Sequence, residues 1–356
     1  MKLKISQWQR IALLAAGLSA SMVSTAWGGL GTELYQVHND GSIWQYTGPL
    51  CNGNVCPGWI ELDNNPNLVM IAAGGGQLYE LHHDGSVWKY TGPACSGGSC
   101  PGWIQIDNSP LCCYASGIGV GGSTLYEFRE GQSIWQFNGT PCNGTSCPGW
   151  VELDQNPQAD VFAASAGTLY EFHLDDSFWQ YTGQPCSGGS CRGWTQIDNN
   201  PTTIAFANGA AGLFQLHSGG AIWQFTGLPC NSGGSCPGWL QLDNNANTGS
   251  IAAGGRLYQQ HSNDLSIWQS TGAPCNRNGC GGWIEIDNSG LTVPLGMVAG
   301  ASTVYQLEYN PNVPEGRGIW EYTGTPCAGS VCTGWEQLDN NPNTIAIVAG
   351  GQMFGF

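Results

Sequence analysis

Five histidines stand at one recurring position of the chain, His38, His82, His173, His217 and His261, and Arg129 and Glu308 take that place in two further copies. Seven aspartates recur as regularly: Asp63, Asp107, Asp154, Asp198, Asp243, Asp287 and Asp339. An amide follows each of them, at Asn64, Asn108, Gln155, Asn199, Asn244, Asn288 and Asn340. Imidazole and carboxylate groups can hold a metal, relay a proton or bond the hydroxyls of a ligand. A metal needs several donors converging on one point, and one His per unit offers no second nitrogen at ligand spacing, so no metal is expected. The histidines read either as ligand contacts or as buried, bonded groups near strand ends. The aspartates read either as Asx turns that cap backbone N–H groups or as a hydrogen-bonding rim for a hydroxyl-rich ligand. Catalysis has little support. The chain carries no G-x-S-x-G elbow, no H-E-x-x-H, no P-loop and no Cys/His nucleophile pair. Its polar residues are spread evenly, whereas an active site would break the repeat in one place. No catalytic residue and no cofactor are expected.

Fourteen of the 16 cysteines fall into seven close pairs. These are Cys51 with Cys56, Cys95 with Cys100, Cys142 with Cys147, Cys186 with Cys191, Cys230 with Cys236, Cys275 with Cys280, and Cys327 with Cys332. The compartment decides whether they are disulfides or zinc half-sites. Residues 1–26 read as an export signal, with Lys2, Lys4 and Arg10 ahead of an apolar run from Ile11 to about Ala20, then the small residues Ser24-Thr25-Ala26. The run is too short for a comfortable membrane span, and no later stretch approaches one. The mature chain is therefore expected outside the cytoplasm, secreted or periplasmic, with seven disulfides. Cys112-Cys113 stands outside the pattern and could be a vicinal disulfide, free thiols or a link between chains. Asn138-Gly139-Thr140 and Asn143-Gly144-Thr145 match the glycosylation acceptor pattern, which matters only in a host that glycosylates.

Removing the signal takes three of nine basic residues and none of the 25 acidic ones. So acidic a surface cannot neutralise a run of phosphates, which excludes nucleic acid as an expected partner and disfavours anionic lipid. Charged residues make up only 10% of the chain, while Trp numbers 16 and Gly 55. That is ample apolar and aromatic material for a core.

The elements that must position these residues form a repeat. Copies begin near Leu34, Leu78, Leu125, Leu169, Leu213, Leu257 and Val304, and the first Trp of each falls at 44, 88, 135, 179, 223, 268 and 320. Two insertions lengthen the spacing, LCCYASGIGV in the second copy and EYNPNVPEGRG in the seventh. Each unit carries four strand signals. An alternating LYxLH run reaches a turn such as His83-Asp84-Gly85, which suits a tight hairpin. SIWQYTG follows, then the Cys-bounded loop, then GWxxLD, and after Asp-Asn-Asn-Pro a small-residue strand such as Ile71-Ala72-Ala73-Gly74. Four strands in about 45 residues, repeated seven times, predict an all-β seven-bladed β-propeller over residues 27–356. The chain starts at the second strand of a unit and ends with an extra copy of the small-residue strand at Thr344 to Gly350. That last strand can complete the first blade and close the ring, which removes the free edge. Fourteen of the 16 Trp occupy two positions per unit, as core packing between blades or as platforms for sugar rings. By strand direction, the Cys loops and the Gly-rich turns share one face, and the Asp-Gly hairpins and Asp-Asn-Asn-Pro connections share the other.

The unit G-W-x-x-[LI]-D, [IV]-A-x-G, L-Y-x-x-H-x-D-G-x-[IV]-W-x-Y resembles the repeats of tectonin-type β-propellers, over Leu34 to Phe356. The resemblance implies a lectin that binds surface glycans, with pockets between adjacent blades. The Cys staple of every unit and the Asp-Asn-Asn-Pro turn depart from that family's pattern, and no individual sugar-contact residue carries over. The function expected is a secreted, multivalent, non-catalytic carbohydrate-binding propeller whose weak sites add through effective concentration. The alternatives are an extracellular protein-binding or structural propeller and, less favoured, a propeller enzyme acting on polysaccharide.

Overall fold

A computed structural model of the chain describes residues 25–26, 34–108, 115–165, 167–277, 279–289, 293–309, 317–349 and 352–355. Each repeat forms one antiparallel four-stranded blade, and seven blades make a β-propeller with no helix among the described residues. In blade 2 the innermost strand is Leu68–Gly74, followed outward by Gln77–His82, Val87–Tyr90 and Trp103–Asp107. The alternation along the second strand does not separate core from solvent, because each blade lies between two others. Leu78 packs towards Leu62 of blade 1, while Tyr79 and Leu81 pack towards Ile118 and Val120 of blade 3. Both faces are therefore buried. Near the axis the strands carry Ala72, Ala73 and Gly74, and a Cβ on Gly75 would come within 2.5 Å of the Gly122 carbonyl in the next blade. Bulk cannot be accommodated there.

The ring closes as its ends predict. Thr344–Ala349 pairs antiparallel with Leu34–His38 and supplies the innermost full strand of blade 1. The chain then turns back, and Gln352–Gly355 adds a fifth strand further in, which the sequence does not announce. Residues Thr25–Ala26 run parallel to Thr203–Gly209 of blade 5. Cys112 and Cys113 lie outside the described residues, as do residues 310–316 of the seventh-copy insertion. The segment LCCYASGIGV is not wholly an insertion, because its last six residues belong to the innermost strand of blade 3, Ala115–Gly121.

Two features lock each blade to the one before it, and a third adds to them at five of the junctions. The first is the disulfide loop, and all seven expected pairs are bonded. Cys51 is joined to Cys56, Cys95 to Cys100, Cys142 to Cys147 and Cys186 to Cys191. Cys230 is joined to Cys236, Cys275 to Cys280 and Cys327 to Cys332. The zinc half-site alternative is thereby set aside, because each sulfur is spent within its own loop. Each stapled loop leaves the rim where the Gly turns lie and folds back along the outer strand of the preceding blade. In blade 2 the Cys95 N–H donates to the Glu61 carbonyl at 2.9 Å, and the other six loops repeat this bond. Beneath it the Trp103 indole N–H donates to the Leu62 carbonyl at 2.9 Å, again with a counterpart at every junction, such as Trp194 to Leu153 and Trp335 to Ile286. The amide after the recurrent Asp reaches the same loop: Asn64 Nδ2 donates to the Gly98 carbonyl, and Asn108, Asn199, Asn288 and Asn340 make the equivalent bond. The half-buried second Trp of each unit thus serves packing between blades.

Candidate functional site

A β-bulge decides where the recurrent Asp points. In GWxxLD the Asp shares parity with the Trp, so strict alternation would aim both at the preceding blade. Every blade instead shifts register between its third and fourth strands, in blade 2 between Val87 and Trp88, so that Asp107 pairs with Val87. Such a bulge turns the following side chain to the other face. Each Asp therefore faces the next blade, where it meets the His and the central residue of the second strand. Arg129 Nη2 lies 3.6 Å from Asp107 Oδ1, and Asp63, Glu80 and His82 bring one donor atom each within 4.8 Å of one another.

The seven aspartates are only 1–6% exposed. Asp63, Asp154, Asp198 and Asp339 accept the backbone N–H two residues on, at 2.7–3.4 Å, the Asx-turn geometry. His38, His82, His173 and His261 are 3–7% exposed, and His217 is half-buried. Each imidazole stacks on the first Trp of its unit, with ring centroids 5.5–5.9 Å apart. Arg129 fills the equivalent place with its guanidinium 4.3 Å over the Trp135 ring. Glu308 accepts from Gln306 at 2.6 Å.

The polar links run further. Ser86 Oγ accepts from Trp88 Nε1 at 2.9 Å, donates to Asp84 at 2.6 Å and lies 3.5 Å from His82 Nδ1. Blades 4 and 6 repeat this with Ser177 and Ser266. A Ser, His and Asp in contact invite comparison with a hydrolase triad, but the order is wrong. Here the Ser gives its proton to the Asp, whereas a triad needs the Asp on the imidazole and the Ser proton on its far nitrogen. The far nitrogen of His82 is held by Glu80 at 2.9 Å and that of His173 by Glu171 at 2.7 Å. Burial pushes Glu80 and Glu171 up to about 7, opposed by the bond each makes to its His. Burial likewise pushes Glu127 up to about 8, and the Asp107 charge adds to it. Burial pulls His38 and His217 down, against the charges of Asp40 and Asp198. These groups lie buried at the junctions between blades, where they contact one another.

Open space lies at the other end of the junction. Between blades 3 and 4, on the rim with the Gly turns, runs a groove of about 690 Å³. Blade 3 lines it with Tyr126, Gln136, Asn138 and Val151, and blade 4 with Thr168, Gln180, Tyr181 and Thr182. Asn138, Val151 and Thr182 are exposed; Gln136, Thr168, Gln180 and Tyr181 are half-buried. The same cross-strand pair recurs around the ring as Tyr35 with Gln45, Tyr170 with Gln180 and Tyr258 with Gln269. It becomes Tyr79 with Lys89 in blade 2, Phe214 with Gln224 in blade 5 and Tyr305 with Glu321 in blade 7. The sequence shows this signal as the Gln after the first Trp, which reads as an ordinary exposed strand position.

No family model and no curated protein matches the chain. Solved structures share its fold. Yeast RCC1 (Prp20) bound to Kap60 superposes with a TM-score of 0.53 at 10% identity, over 76% of this chain and 77% of that one. Prp20p from Saccharomyces cerevisiae, described with its binding to Gsp1p and histones, gives 0.51 at 12% identity over 92% of each chain. Human WBSCR16 gives 0.51 at 9% identity, over 88% and 93%. The chain is thus a seven-bladed β-propeller of the same architecture as RCC1. At such identities the likeness is one of fold. The seven disulfides fit an oxidising compartment. No helix among the described residues is long and apolar enough to cross a membrane.

Proposed function

We propose that the protein is a secreted, multivalent, non-catalytic carbohydrate-binding propeller of tectonin type, exported by a signal in residues 1–26, and that its ligands enter the grooves between blades. The observation that carries this reading is the blade 3–blade 4 groove. Its walls combine amides, hydroxyls and phenol edges with the exposed apolar side chain of Val151, the mixture a sugar ring requires. Repetition of the Tyr and Gln pair in four blades supplies the valency. The buried Asp and His sit below the grooves and set the spacing of the blades, so they act on the ligand only through the walls. Weak sites held on one rigid ring bind a dense glycan surface far better than any one of them binds a free sugar.

Glycan-array binding of the oxidised protein at high and low probe density tests the reading. Binding to one glycan class at high density only is the expected result, and replacing Gln45, Gln136, Gln180 and Gln269 together by Ala should remove it. Absence of binding at both densities would overturn it. A protein-binding disc would then be favoured by a second observation: Leu50, Val55 and Val331, 41–65% exposed, crown the disulfide loops of the adjacent blades 1 and 7.

A further inference from the structure

The central residue of each second strand is Gln or Glu, and the innermost strand decides whether its acceptor oxygen is satisfied. In blades 1, 5 and 6 a threonine hydroxyl donates to it: Thr344 to Gln36 at 2.6 Å, Thr203 to Gln215 at 3.4 Å and Thr248 to Gln259 at 2.7 Å. In blades 2, 3 and 4 the register position of that threonine holds Leu68, Ala115 and Ala159, and the Gln becomes Glu80, Glu127 and Glu171. One oxygen of each carboxylate, Oε2, is then buried with no hydrogen-bond partner. A buried carboxylate left so is strongly destabilising unless a cation stands beside it.

Blade 3 shows what the position accommodates. There the Arg129 guanidinium bonds Glu127 through Nε and faces Asp107 with Nη2. Blade 2 presents the same two carboxylates, Glu80 and the Asp63 of blade 1, but no guanidinium. In its place His82 directs Nε2 at Glu80, and Glu80, Asp63 and His82 are 1%, 6% and 6% exposed. Their donor atoms lie within 4.8 Å of one another, and among the described residues no other three such side chains converge so closely. Asn65 Nδ2, 3.4 Å from His82 Nε2, covers the outer side.

We propose that Asp63, Glu80 and His82 bind a divalent transition-metal ion, Zn²⁺ or Mn²⁺, which does at the blade 1–blade 2 junction what the Arg129 guanidinium does at the next one. Two carboxylates and one imidazole are a borderline donor set. Mg²⁺ and Ca²⁺ prefer oxygen alone, and Cu(I) prefers sulfur. A count of histidines misses this site, because two of its three donors are carboxylates and one of these arrives from the neighbouring blade. The site is structural: its ligands come from two blades, so the ion ties them together, independently of any ligand in the grooves.

The test is metal content and Mn²⁺ binding of the tag-free, oxidised protein, followed by elemental analysis after dialysis and by electron paramagnetic resonance. The expected result is one ion per chain, with affinity at least about tenfold weaker in Glu80→Gln and unchanged in both Glu171→Gln and His83→Ala. Gln stands at the same register in Gln36, Gln215, Gln259 and Gln306, so the fold accepts the substitution. A wild-type protein that retains neither ion would overturn the proposal and leave the His82 hydrogen bond as the partner of Glu80. Equal binding by Glu80→Gln would overturn it too, placing the ion elsewhere.

Discussion

At the rim where the hairpins turn, Asp107, Glu127 and Arg129 have turned inward and engage one another. That clasp joins blades 2 and 3; at the opposite rim, one junction along between blades 3 and 4, Gln136, Asn138 and Thr182 line open space. Both sets recur around the ring with nearly the same regularity. The difference is geometric: the bulge in each outer strand pulls the Asp into the seam, whereas at the other rim a groove stays open between blades 3 and 4. Regular repetition of a polar residue therefore does not distinguish a ligand rim from an internal clasp. The two ends of a junction should answer mutation in opposite ways, the clasp through stability and the groove through binding.

The largest effect is expected at Arg129. Arg129→Met removes the cation from two buried carboxylates and should lower unfolding stability by about 3–5 kcal/mol, read by denaturant titration, with glycan binding by the other blades retained. A loss below about 1 kcal/mol would mean that water reaches this end of the junction, and the contrast between the two rims would fail. Next comes the staple that joins the rims from outside. Converting Cys95 and Cys100 together to Ser releases a loop of about six residues and should cost about 2 kcal/mol, leaving a β-rich circular dichroism spectrum. If the stapled loop shaped the groove instead of fastening the blade, binding would fall and stability would hold.

Much of this was legible in the sequence, and the reason is periodicity. Four strand signals in every copy, the spacing of the Cys pairs and the surplus strand at Thr344 define the blade count and the closure, because each rests on local pattern. The short separations, from Cys51 and Cys56 round to Cys327 and Cys332, made the pairing legible too, since no other sulfur lies as near along the chain. The inward turn of Asp63 and its counterparts was not legible, since it depends on a bulge that alternation cannot reveal. Glu80 escaped for a related reason. In LYELH a central polar residue reads as the wet side of a strand, yet a propeller blade has no wet side along its second strand. The Gln352–Gly355 strand carries no apolar alternation long enough to announce itself.

A smaller effect should separate the rims by pH. Burial raises Glu171 from the ordinary carboxylate range to about 7, so the folded state holds its proton more tightly than the unfolded chain does. That contribution to stability is complete at acid pH, below the unfolded value, and is lost as pH rises through about 7. Glu171→Gln keeps the shape and removes the proton, so it should flatten the decline, which is at most about 1.4 kcal/mol per pH unit for one proton. Denaturation midpoints between about pH 5 and 9 provide the comparison. An unchanged slope would mean that Glu171 stays ionised and solvated, as a groove residue would be.

The smallest stability effect, and the sharpest contrast, belongs to the groove. Gln136 and Gln180 stand on its two walls, half-buried, one on blade 3 and one on blade 4. Truncating both to Ala leaves the indole bonds, the stapled loop and the Asp–Arg clasp untouched, so stability should change by no more than about 0.5 kcal/mol. If the grooves take the ligand, the double variant should still weaken binding to a dense glycan surface, and by less than the variant that also lacks Gln45 and Gln269 does. Valency explains the gradation: losing one of several equivalent sites lowers effective concentration, whereas losing them all abolishes capture. A double variant that binds fully would exclude this groove, and one that unfolds would make its glutamines part of the clasp.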